Sequence, residues 1–161
     1  MANIRRLKSL RAFLDTVPKE RFNLGAWAET PGTPNTSDYD AELNFNKTFA
    51  SPQKLKTAAC GTTACVLGWA AVKPSFRKAG LKFHRVCTCL GTTSAVVQYE
   101  GNDGFHAGKS FFKIDAIAAE YLFSPEQYGE KRGLSEVKRR LDIVIRNNGT
   151  APKGRRSNYW A

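Results

Sequence analysis

Two cysteines, Cys60 and Cys65, stand five positions apart in the segment AACGTTACVLGWAA, residues 58–71. Thiols in such a setting can act as a nucleophile, hold a metal, form a disulfide or fill a core. The run of small and apolar residues predicts a helix over 61–72. Five residues then turn about 140° around the axis and leave the two Cα atoms roughly 8–9 Å apart, beyond the ~7 Å that a disulfide spans. Cys65 falls in line with Gly68, Trp69 and Val72 at i, i+3, i+4 and i+7, the spacing of a packed helix face. Cys60 falls at the expected helix start, where the backbone dipole and unpaired N–H groups stabilise a thiolate. A cysteine hydrolase built there needs a base, His84 or His106, and an orienting carboxylate, Asp103 or Asp115. Cys60, His106 and Asp103 are the catalytic alternative to a packing role.

A metal is the second chemistry open to these thiols. Cys60, Cys65, Cys87 and Cys89, with His84 as a further ligand, would make a four-ligand zinc site. Four residues separate the first two and one the last two, so the second pair departs from the usual two to four. Strand alternation does put Cys87 and Cys89 on one face. The reading preferred from sequence needs no cofactor, with zinc kept as the alternative.

Residues 101–110, GNDGFHAGKS, follow an expected strand and precede an expected helix, and they end in Gly108-Lys109-Ser110. A Walker A loop needs Gly five residues before Gly108, and that position is Asp103. Without a parallel sheet the loop also lacks its scaffold, which argues against NTP hydrolysis. What survives is a nucleotide- or anion-binding module in which Lys109 and Ser110 open a helix and hold a phosphate against its first N–H groups.

Charge supplies the strongest global signal. The 161 residues carry 25 Lys and Arg against 14 Asp and Glu, a net charge of +11, which favours an acidic partner: nucleic acid or an acidic host protein. Lys138, Arg139 and Arg140 are expected on the exposed side of the last helix, and Arg155 and Arg156 follow in the tail; together they form a candidate phosphate-binding surface. Tyr159 and Trp160 could stack on bases. Binding of this kind reads the backbone and is independent of sequence.

These residues need elements to position them. Ile4, Leu7, Leu10, Phe13, Leu14 and Val17 predict an amphipathic helix over 3–16 that stops near Pro18. Residues 29–57 hold Pro, Gly, Thr and Ser in quantity and are expected to form a long, mobile loop. A helical turn over 74–80 closes at Gly80, and a hairpin over 81–90 and 92–99 turns at Gly91. One helix capped by Ser110 is expected to run from Phe111 to Phe123, a capped turn begins at Ser124-Pro125, and the last helix starts at Ser135 with Val137, Leu141 and Val144 inward. The fold class is therefore α+β, about five helices around a small antiparallel β-hairpin, in a single domain over 1–148 with a basic C-terminal tail over 149–161. No run approaches the ~18 apolar residues of a membrane span. The N-terminus lacks the apolar core of a secretion signal, so the expected location is the bacterial cytoplasm or a virion.

Arg21-Phe22-Asn23-Leu24 with Trp27, then CGTTAC with Gly68-Trp69-Ala70, then AAEYLFSP over 118–125 with Tyr128, resemble a family of small, uncharacterised bacterial and phage proteins marked by a CGTxxCxxG[WY]A helix. The resemblance covers most of residues 20–145 and implies no activity. It makes the chain, by expectation, a phage-encoded, non-enzymatic binding protein that acts on a host or defence macromolecule, or a virion component that touches nucleic acid. Homo-oligomers and larger assemblies are open to it.

Overall fold

Spacing of apolar residues accounts for the first element. In the computed structural model, which describes residues 1–32, 37–89 and 91–156, helix α1 spans Ile4–Leu14 and buries Leu7, Leu10 and Leu14 completely. Asn3 caps it: its side-chain oxygen accepts the Arg6 N–H at 3.1 Å. A 3-10 turn, Lys19–Arg21, then leads into strand β1, Ala28–Pro31.

The segment expected to be a loop, 29–57, is largely structured. Besides β1 it holds α2, Asp38–Thr48, capped by Ser37, and α3, Pro52–Lys56, capped by Ser51 with Pro52 in the first turn. The Ser and Pro that read as loop composition are the caps of two helices. Phe45 and Phe49 then lock α2 to the rest by ring contacts with Phe83 at 5.6 and 5.3 Å.

The helix expected over 61–72 is shorter. Thr63–Ala64 form strand β2, and helix α4 covers Val66–Val72 with Cys65 as its N-cap residue. All seven α4 residues are buried, so this is the central helix of the core. Helix α5, Pro74–Lys78, follows at once and is succeeded by the hairpin, β3 Lys82–Cys89 and β4 Thr92–Tyr99, with Gly91 in the turn. The hairpin register has a bulge between His84 and Cys87, where Arg85 takes a positive φ.

Short strands that carry too few residues to show a period complete the sheet. Its order is β2-β1-β4-β3, antiparallel throughout, with β5, Asn102–Asp103, also paired to β4. The expected single helix over 111–123 is instead two, α6 Gly104–Phe112 and α7 Ala116–Phe123, separated by Lys113 in the left-handed region. Asp115, not Ser110, supplies a cap, accepting the Ala118 N–H at 2.7 Å. After the 3-10 turn Pro125–Tyr128, helix α8 runs Leu134–Arg146, one residue earlier than expected, and buries Val137, Leu141 and Val144. The fold is α+β, with eight α-helices and a five-stranded sheet among the described residues rather than five helices and a hairpin. No helix among the described residues is long and apolar enough to cross a membrane.

Candidate anion-binding face

The residues around Cys60 and Cys65 make a structural lock. Arg21 donates through Nη1 to the Ala59 carbonyl at 2.6 Å and through Nη2 to Ala58, strapping the 58–62 turn. Trp69 is fully buried, yet its indole N–H reaches the Arg21 carbonyl at 3.1 Å, so its one polar atom is satisfied. The Cys65 N–H donates to the Ala26 carbonyl at 2.8 Å, tying the start of α4 to the segment that leads into β1. Gly68 lies so close to that segment that a Cβ there would sit 1.8 Å from the Trp27 carbonyl oxygen. Motif residues at these positions thus serve close approach and hydrogen-bond satisfaction.

The geometry that favoured a Cys60 nucleophile is absent. Cys60 lies in an exposed turn, six positions before α4 begins at Val66, and no helix start is there to stabilise its thiolate. Cys65 is at the helix start but fully enclosed, and burial pushes its thiol up to about 11, the reverse of activation. Asp103 accepts Gln98 Nε2 at 3.2 Å and lies 4.0 Å from Arg85 across the hairpin. His106 is exposed in the first turn of α6.

Nor do the four cysteines converge as a zinc site requires. The turn holding Cys60 packs beside β1, since a Cβ on Gly61 would meet Pro31 Cγ at 2.8 Å. Cys87 and Cys89 share one exposed face of β3, and β4 stands between β3 and β1, a separation of roughly 9–10 Å from strand spacing alone. His84 lies beyond the bulge from them. Among the described residues no three His, Cys, Asp or Glu cluster as metal ligands.

The 101–110 stretch also folds differently from its reading. Gly104 begins α6, so Gly108, Lys109 and Ser110 lie in its final turns, where N–H groups are consumed within the helix and the dipole end repels anions. Gly108 is small for a packing reason: a Cβ would sit 2.7 Å from the Phe123 ring and 3.1 Å from Leu67.

The basic run on α8 is neutralised within the molecule. Lys138 Nζ pairs with Asp15 at 2.8 Å, and Arg139 with Glu136 at 2.7 Å. Arg140, expected on the surface, is buried. It binds Glu136 at 3.0 Å, donates to the Tyr121 and Gln127 carbonyls, and lies over the rings of Tyr121 and Tyr128. Arg139, then Arg140, hold the Glu136 carboxyl down at about 2 against the opposing effect of burial. Arg155 is exposed with its guanidinium 5.2 Å from the Tyr121 ring, Arg156 is exposed, and Tyr159 and Trp160 lie outside the described residues.

A cationic surface without acidic partners among the described residues lies elsewhere, across α1 and α5. Arg5, Arg6 and Lys8 from α1, with Lys73 and Lys78 at and within α5, have no carboxylate within ion-pair distance among the described residues. Between them runs a groove of about 350 Å³ lined by Asn3, Arg5, Arg6, Ser9, Ser75 and the apolar Phe76 and Ala79. Arg6 is fixed in its wall, donating to the Phe111 carbonyl at 2.7 Å with its guanidinium 4.1 Å from the Phe111 ring. Lys73 Nζ lies 4.9 Å from the Phe76 ring and donates to Ser75 Oγ at 2.7 Å. The arginines of α1 were visible in sequence only as one helix's polar face; what brings them beside Ser75 is the groove that α1 and α5 line together.

No protein-family model, curated protein or solved structure matches this chain.

Proposed function

We propose that this chain is a non-enzymatic binding protein that engages the phosphate backbone of nucleic acid through the α1–α5 face. The observation carrying this reading is the contrast between two basic clusters. Lys138, Arg139 and Arg140 are committed to Asp15 and Glu136, whereas Arg5, Arg6, Lys8, Lys73 and Lys78 have no acidic counterpart among the described residues. An intramolecular ion pair must be broken before its cation can meet a phosphate, and an unpaired cation needs no such step. With a net charge of +11 the long-range field also draws in a polyanion. The reading as a phage-encoded factor acting on a host or virion nucleic acid is part of the same proposal.

Fluorescence anisotropy with a labelled 20-nucleotide strand and the matching duplex tests it. If three to four of the five cations meet duplex phosphates, log K falls against log salt with a slope of about −3 to −4, roughly a hundredfold loss between 50 and 200 mM salt. Arg5→Glu combined with Lys78→Glu should abolish binding at 200 mM salt, while Arg139→Glu should change it little. Absence of binding at 50 mM salt to either probe, or an affinity indifferent to salt, overturns the reading.

A further inference from the structure

We infer that the groove between α1 and α5 is a phosphate subsite, a built pocket that fixes one phosphate group of the partner rather than a diffuse patch of positive charge. The inference rests on the nucleic-acid reading for its partner but on different observations for its geometry.

Hydrogen-bond accounting around the groove leaves donors and almost no acceptors. Asn3 uses its side-chain oxygen to accept the Arg6 N–H, so the group it has left is its NH₂, which can only donate. Ser75 Oγ accepts from the Lys73 ammonium at 2.7 Å, which leaves the serine hydrogen to be given outward and puts a full positive charge directly behind that hydroxyl. Arg6 spends Nη1 on the Phe111 carbonyl and keeps the rest of its guanidinium for another acceptor. Arg5 and Ser9 complete the polar lining, to which no carboxylate among the described residues contributes.

Donors therefore come from two walls, α1 and α5, and not from a single fork. A planar carboxylate is satisfied by one guanidinium. A tetrahedral oxyanion carries acceptors in several directions and can use Arg5, Arg6 and Asn3 from one side with Ser75 from the other. Two walls are also what separates a subsite from a surface lysine cluster. The backing of Phe76 and Ala79 keeps water from one side of the groove, which strengthens every charge-assisted bond inside it. The same chemistry would accept a phosphodiester of a nucleic acid strand or the phosphomonoester of a free anion, and experiment can tell them apart.

The test uses the full chain, with sodium phosphate at fixed ionic strength followed by amide NMR and a labelled 20-nucleotide strand followed by anisotropy. Phosphate should shift the amides of Arg5, Arg6, Ser9 and Ser75 saturably in the millimolar range, and chloride should not. Ser75→Ala and Arg5→Gln, both at positions outside the core, should each weaken phosphate binding about tenfold and the oligonucleotide by a similar factor. Lys131→Gln, remote in sequence and exposed, should leave both within about twofold. Shifts no larger with phosphate than with chloride, or unchanged phosphate binding in both variants, overturn the subsite. If the oligonucleotide binds with steep salt dependence while both variants behave as wild type, the subsite falls and the nucleic-acid reading stands. If phosphate titrates the groove while neither strand nor duplex binds, the nucleic-acid reading falls and the subsite stands with a phosphomonoester as its ligand.

Discussion

The guanidinium carbon of Arg140 lies 3.6 Å from the centroid of the Tyr128 ring. It also stands 4.5 Å from the Tyr121 ring, its Nε donates to Glu136, and its two Nη groups each reach a carbonyl, so all three nitrogens of this buried cation have a partner. A charge in this position is part of the core, although three consecutive basic residues read as a surface strip.

Arg140→Ala should therefore cost about 3 kcal/mol or more, since it takes from Glu136 the buried one of its two cations and leaves the Tyr121 and Gln127 carbonyls without their donor. Arg139→Ala, at an exposed pair with the same glutamate, should cost no more than about 0.5 kcal/mol. Urea denaturation of the two variants makes the comparison, and equal losses would contradict the assignment.

Glu136 gives the acid limb of stability its sign. Its folded carboxyl titrates near 2, below its unfolded value, so the stabilisation is complete above the unfolded pKa and is lost as pH falls towards 2. Thermal melts should show the wild type losing stability between about pH 5 and pH 2, and Glu136→Gln losing measurably less over that window while being less stable at neutral pH. Parallel curves for the two proteins would count against this account.

Close approach at Gly68 leaves no room for a methyl group. Gly68→Ala sets a Cβ 1.8 Å from the Trp27 carbonyl oxygen just before β1, which cannot swing aside as a side chain would, and the expected loss is about 3 kcal/mol. Circular dichroism melts check this; a variant as stable as wild type would mean that α4 and β1 can separate freely.

Thiol labelling reports the placement of the four cysteines. Cys60, Cys87 and Cys89 are exposed and Cys65 is buried with its thiol raised to about 11. Ellman's reagent should titrate three thiols in the native protein and the fourth only in denaturant. Cys60→Ser should leave the melting temperature and nucleic-acid affinity unchanged, whereas Cys65→Ala, which removes a fully buried sulfur and leaves a cavity, should cost about 1–2 kcal/mol.

Much of the scaffold was legible in local pattern. Leu7, Leu10 and Leu14 announce α1, Val137, Leu141 and Val144 announce α8, and the β-branched residues on either side of Gly91 announce the hairpin, because each element is long enough for its burial period to show. The misreadings share a cause. Strands β1, β2 and β5 span four, two and two residues and have no period to read. Ser37 and Ser51 look like loop residues until the helices they cap exist. Gly108-Lys109-Ser110 resembles a phosphate loop, yet nothing local says that α6 has already begun at Gly104.

Composition and pattern by themselves determined that this chain folds as α+β, that it carries a large positive charge, and that Cys65 and Trp69 face a core. Only the tertiary structure decided which charges are available to a partner. Lys138, Arg139 and Arg140 are indistinguishable by type from Arg5, Arg6 and Lys8, and all six lie on amphipathic helices. Their difference is set by what packs alongside: Asp15, Glu136, Tyr121 and Tyr128 on one side of the molecule, and Lys73 and Ser75 on the other. The Glu136 pairs with Arg139 and Arg140 are neighbours on one helix, but the Lys138–Asp15 pair and the rings that enclose Arg140 come from other elements, so which cations are committed becomes readable only once the helices are placed.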